Sequence, residues 1–240
     1  MLDRLDDIDW NSLDDAYGTA EGVPDLLRSL ISADKGERDE ALNELFGCVW
    51  HQGTIYSCTS HVVPFLVELL EKDAAPDREG VALLLAVIAA GTGYLMVHAR
   101  DEKDVAKWKE ILRKDGRDFD EKLSEEHRNV ELVRDACRPH LELLLPFLAS
   151  PEPDLRAEVS NAFANYPESR EVLLPALEAA FAKEEDEDVR PAMEESIAAL
   201  GLTSVDLGRM QSRSGLHRNF IVRGDFAVHL WRRRHLLISE

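Results

Sequence analysis

Cysteine is scarce in this chain, three residues in 240, odd in number and at no regular spacing. That excludes a disulfide-stapled scaffold and makes a reducing compartment the expectation. Positive charge is scarce as well. Lysine and arginine total 28 against 47 aspartates and glutamates, a formal net charge of −19. Such a field disfavours phosphate backbones and anionic membranes and favours basic partners. Alternating β-branched runs are nearly absent before residue 218, which argues against a sheet protein. The opening MLDRLDDIDW is acidic and has no apolar core segment, so it does not read as a signal peptide and a cytoplasmic location is expected. Several catalytic signatures are missing: a glycine-rich phosphate loop, Gly-x-Ser-x-Gly and His-Glu-x-x-His. No cofactor is expected.

Long hydrophobic runs are nearly absent too. The exception is Gly80 to Ala99, twenty residues without Asp, Glu, Lys or Arg, which is enough to cross a bilayer. Gly91-Thr92-Gly93 divides it, however, and its acidic flanks give no positive-inside signal. The expected reading is a helix apolar all round and buried, with no membrane association.

Helical periodicity is what the chain has in abundance. A hydrophobic share of 45% supplies a continuous core. Four segments share one plan: an apolar helix entered through proline, a short acidic turn, then a second helix opening with an acid and an arginine. The prolines are Pro24, Pro64, Pro146 and Pro175, spaced by 40, 82 and 29 residues. The partner arginines, Arg38, Arg78, Arg156 and Arg190, follow them by 14, 14, 10 and 15 residues. Leu26, Leu27 and Leu30 of the first helix face Ala41, Leu42, Leu45 and Val49 of the second. Neither helix buries its stripe alone, so pairs stack on pairs. Asp77, Asp154 and Asp188 fall where a second helix begins and a carboxylate meets the positive end of the helix dipole. The arginines are expected to pair with acids of adjacent turns.

Between 100 and 140 the pattern lapses into two charged amphipathic helices, either a degenerate repeat or an insertion. Residues 205–240 depart again, with seven arginines against three acids, so the chain before them carries all of the net acidity. The expected division is a repeat body over 1–204 and a basic capping segment over 205–240, a β-hairpin or a helix. Arg232, Arg233 and Arg234 lie there, set against the acidic body or presented to an anionic partner.

DLRAEVSNAFANY (Asp154 to Tyr166) and DVRPAMEESIAALG (Asp188 to Gly201) resemble HEAT-type repeats. The front half, AYGTAEGVPDLLRSL with WHQGTIYSCTSHVVPFL, resembles a group of bacterial HEAT-like proteins. The resemblance covers roughly residues 10 to 202 and is weakest between 100 and 140. It implies an all-α fold, a right-handed α-solenoid of stacked antiparallel helix pairs that binds other macromolecules along its curved surface. In that group the His-Gln-Gly-Thr stretch belongs to the pattern and the two flanking cysteines do not.

CVWHQGTIYSCTSHVVPFL (Cys48 to Leu66) is where chemistry would most readily sit. Cys48, His51, Cys58 and His61 form C-x2-H-x6-C-x2-H, two pairs able to converge on tetrahedral zinc. His51 with Cys58 as a catalytic dyad is the weaker alternative, because acidic surroundings raise a thiol pKa. The plainer reading is a joint between repeats, with Trp50, His51, Gln52 and Tyr56 on its rim as contact residues. The function expected from all this is a non-enzymatic, monomeric interaction module that binds a basic protein or peptide as adaptor, regulator or immunity-type inhibitor. The alternative is an enzyme on a HEAT-like scaffold, a DNA glycosylase or a lyase. A glycosylase needs a basic channel.

Overall fold

A computed structural model describes residues 1–201 of the chain. The fold is all-α, with ten α-helices among the described residues and one two-stranded hairpin. Two short 3₁₀ turns, Asp3–Asp7 and Trp10–Ser12, lead into α1 (Val23–Ser29) and α2 (Lys35–Cys48). Strands β1 (Trp50–His51) and β2 (Thr54–Ile55) precede α3 (Thr59–Glu71) and α4 (Arg78–Ala89). Then come α5 (Tyr94–His98), α6 (Glu102–Lys114) and α7 (Phe119–Cys137). α7 runs straight into a 3₁₀ segment, Arg138–Ala149, followed by α8 (Pro153–Phe163), α9 (Arg170–Phe181) and α10 (Arg190–Gly201). The capping segment expected over 205–240, with Arg232, Arg233 and Arg234, lies outside the described residues.

The helices pack in the pairs that the proline–arginine plan marks: α1 on α2, α3 on α4, the 3₁₀ segment on α8, and α9 on α10. Across pairs, α2 touches α4, α4 touches α8, and α8 touches α10. The second helices therefore adjoin one another in chain order. α4 sits in the middle and is buried on every side from Gly80 to Ala89, which is why its sequence carries no charge there. Among the described residues no helix is long and apolar enough to cross a membrane.

Residues 94–137 stand apart from this order. α6 packs on α7, while α7 lies on α3, α4 and the 3₁₀ segment. Leu95, Leu112 and Phe119 form a small second core, with Trp108 packed at its edge. The buried carboxylate of Glu126 ties α7 to α5 by accepting the Leu95 and Met96 N–H groups at 2.8 and 3.4 Å.

Aspartates open the helices by capping orphan backbone donors. Asp34 accepts from the N–H groups of Gly36 and Glu37, Asp77 from Gly80, and Asp186 from Asp188 and Val189. Asp188, expected at a cap, is thus a donor to one. The prolines also sit differently from simple helix entries. Pro24 is in the first turn of α1, but Pro64, Pro146 and Pro175 lie inside their helices. All three are exposed, so the carbonyl that each proline leaves without a helical donor is on the wet side.

Candidate functional site

The four arginines of the plan share one task, which differs from the expected one. Arg38 Nη1 donates to the carbonyls of Ser32 and Ala33 at 2.7 and 3.0 Å. Arg78 Nη1 donates to Leu70 O at 2.8 Å. Arg156 Nη1 donates to Ser150 O at 2.8 Å, and Arg190 Nη1 to Glu184 O at 2.7 Å. Each guanidinium reaches back from the first turn of a second helix and satisfies carbonyls left open in the turn before it. Among the described residues acid pairing is an addition in two of the four: Arg78 also meets Asp73 at 2.8 Å, and Arg156 binds Glu184 through Nε and Nη2 at 2.7 and 2.9 Å. The Arg156 guanidinium holds the Glu184 carboxyl below its ordinary range.

These turns share one edge of the molecule. Ser150 Oγ donates to Glu79 at 2.7 Å, and the Arg78 guanidinium lies 5.7 Å above the Phe147 ring. Both contacts join the second pair to the third. Arg156 with Glu184 joins the third to the fourth. Gly80, at the start of α4, lies so close to Leu42 of α2 that an added Cβ would come within 2.4 Å of it; this joins the first pair to the second. Acids gather along the edge. Residues 71–79 hold four acids against two bases, and residues 183–190 hold five against two. The turn arginines are committed to carbonyls, while Asp34, Glu37, Glu71, Asp73, Glu185, Glu187 and Asp188 are exposed. Sequence reasoning saw each acidic turn but not their shared side.

The opposite edge holds the joints between pairs. At its centre is the hairpin, with Trp50 opposite Ile55 and His51 opposite Thr54. Gln52 and Gly53 make its turn with φ of 51° and 85°, a left-handed pair that a glycine second position permits. Ile55 N–H donates to Thr92 O at 3.0 Å and Thr92 N–H to Gly53 O at 2.9 Å. Gly91 allows this approach, since a Cβ there would lie 2.3 Å from Ile55 Cγ2. Ala16 N–H donates to Cys48 O and Cys58 N–H to Asp14 O, which brings in the loop before α1.

The proposed contact residues fare unequally here. Trp50 is only 4% exposed and belongs to the core. Gln52 is exposed, while His51 and Tyr56 are half-buried. His51 takes the edge of the Tyr17 ring at 5.8 Å, and Tyr17 is 76% exposed. Tyr17 was missed because its loop gives no periodic signal. Burial pushes the Tyr56 hydroxyl up to about 12.

The same geometry does not bring the four candidate zinc ligands together. His61 packs edge-on against Trp10 while His51 goes to Tyr17. Among the described residues no three His, Cys, Asp or Glu side chains gather into a metal-binding group. Cys48, Cys58 and Cys137 are free and buried. Burial pushes the Cys48 and Cys137 thiols up to about 12, and Cys58 further in the same direction. All three are protonated at neutral pH and so are poor nucleophiles.

No family model, no curated protein and no solved structure matches this chain.

Proposed function

We propose that this protein is a non-enzymatic interaction module whose acidic edge grips a basic protein or peptide. The observation that carries this reading is the alignment of the acidic turns on one side, with the turn arginines spent on backbone carbonyls. A cationic partner meets fixed carboxylates there with few competing bases. In the same reading the helix pairs form a right-handed α-solenoid of the HEAT type, a monomer in the cytoplasm. The in-order packing of α2, α4, α8 and α10 supports that arrangement, and three free thiols suit a reducing compartment. The acidic turns disfavour nucleic acid.

The test is capture from the host's own lysate with the intact chain as bait, at low and at high salt, followed by mass spectrometry. Basic proteins that are lost at high salt, and lost again when Glu185, Glu187 and Asp188 are neutralised, bear the reading out. Nucleic acid in the eluate, or capture indifferent to both changes, overturns it.

A further inference from the structure

Successive first helices touch, α3 on the 3₁₀ segment and the segment on α9, and the two joints differ in one respect. α7 packs on α3 and continues into the 3₁₀ segment, so the chain itself lies against the first joint. At the second, between the segment and α9, is an open trough of about 760 Å³. Its lining is mainly apolar, with polar groups from Ser150, Arg156 and residues 183–186. Ala176, Ala179 and Ala180 line it from α9 at the i, i+3, i+4 spacing of one helix face, opposite Leu145 and Leu148. On the 3₁₀ side, residues three apart eclipse, so Leu145 and Leu148 present a single ridge. The small alanine side chains on that face leave room for side chains from outside. One end of the trough is lined by Lys183, Glu184, Glu185 and Asp186. Glu184 is held by Arg156; Glu185 and Lys183 are both exposed with no ion pair to any described residue, and Asp186 leaves that end net acidic.

We infer that this trough is the docking site for an amphipathic basic helix of the partner, with the helix laying leucine-sized side chains on the alanine face and a lysine or arginine at Glu185. The inference rests on the proposed acidic-edge reading and gives that partner a shape. The chemistry is that of helix-in-groove recognition: apolar anchors at i, i+3 or i+4 supply the burial, and a cation at one end fixes the direction. At the joint before it, α7 of this chain packs Val130 and Val133 into the core.

The probe is a fluorescein-labelled synthetic peptide of leucine and lysine in an amphipathic helical order. It is compared with a scrambled peptide of the same composition and charge by anisotropy titration against the intact protein. The amphipathic order is expected to bind at least ~10-fold tighter, about one factor of ten in Kd per 1.4 kcal/mol. Ala179→Trp fills the trough from an exposed position, so its fold, checked by circular dichroism, is expected to hold. It should weaken the amphipathic peptide by ~10-fold or more and leave the scrambled one unchanged. Ala198→Trp, exposed on α10, should change neither. If the two peptides bind alike and Ala179→Trp has no effect, the trough inference is overturned. The pair Glu185→Lys with Glu187→Lys then separates the two ideas: weaker binding of both peptides preserves the acidic-edge reading, and no change sinks it as well.

Discussion

Replacing Arg156 by methionine probes the joint that holds the third helix pair to the fourth. Methionine keeps the stem and deletes the guanidinium. The wild-type group makes two bonds to Glu184, at 2.7 and 2.9 Å, and one each to Ser150 O at 2.8 Å and Pro151 O at 3.3 Å. The Arg156 side chain is 14% exposed and that of Glu184 only 5%, so water does not replace the lost donors freely. Breaking a buried pair from one side costs about 3–5 kcal/mol, because the remaining charge is left uncompensated. Glu184 keeps backbone donors, the Asp186 N–H at 2.9 Å and that of Glu185, which argues for the lower end, about 3 kcal/mol. Far-UV circular dichroism in urea is the assay. With a slope of about 2–3 kcal/mol/M, the midpoint falls by roughly 1 M. The double variant Arg156→Met/Glu184→Gln removes the stranded charge but keeps the acceptor, and it should regain about half of the loss. The pH dependence follows the same pair. Because the folded carboxyl lies below its ordinary range, the wild type holds this stability above the unfolded value of about 4.3 and loses it as pH falls through the lowered one. The single variant should lose that acid-side slope. A midpoint shift under ~0.2 M, or a double variant no better than the single one, would refute the reasoning.

Glu158 is 4% exposed, and burial pushes its carboxyl up to about 7. The folded value lies above the unfolded one, so the wild type should lose stability as pH rises from about 4 to 7; Glu158→Gln should remove that slope and gain on the order of 3 kcal/mol at pH 8 in the same urea assay. Parallel pH profiles for the two proteins would count against this. Tyr166 is fully buried and donates its hydroxyl to Ala89 O at 3.2 Å. Tyr166→Phe should therefore cost about 1 kcal/mol by thermal unfolding, and an unchanged midpoint would show that the bond contributes nothing. Gly91→Ala should cost about 2 kcal/mol through overpacking against Ile55, and Ile55→Ala in the same chain should relieve that added cost. Failure of the second change to help would place the strain elsewhere.

Much of the fold was legible because the helix pairs repeat. The proline–arginine spacing located all four pairs, and the uncharged run marked α4 as the most enclosed helix. The task of the arginines was not legible. Arg38 and Arg190 serve turn carbonyls, and no residue identity announces where a carbonyl is left open. Trp50 illustrates the same limit at the hairpin: a tryptophan beside His51 and Gln52 looks like a contact residue, yet two-residue strands put alternate side chains on opposite faces, and Trp50 faces inward. The C-x2-H-x6-C-x2-H spacing misled for a related reason. It measures distance along the chain, while the stacking of His61 on Trp10 and of His51 on Tyr17 decides direction. The acidic turns were visible one at a time, but their common edge depends on contacts such as Ser150 to Glu79, between residues 71 positions apart.

Hydrogen–deuterium exchange on the intact protein, free and bound to a basic protein captured from its host, tests the acidic edge most directly. The account predicts slowed exchange across the turns at residues 71–79 and 183–190 and along the α9 face from Ala176 to Ala180, with the hairpin turn at Gln52 and Gly53 unaffected. Protection confined to that hairpin edge, with the acidic turns exchanging as in the free chain, would contradict it.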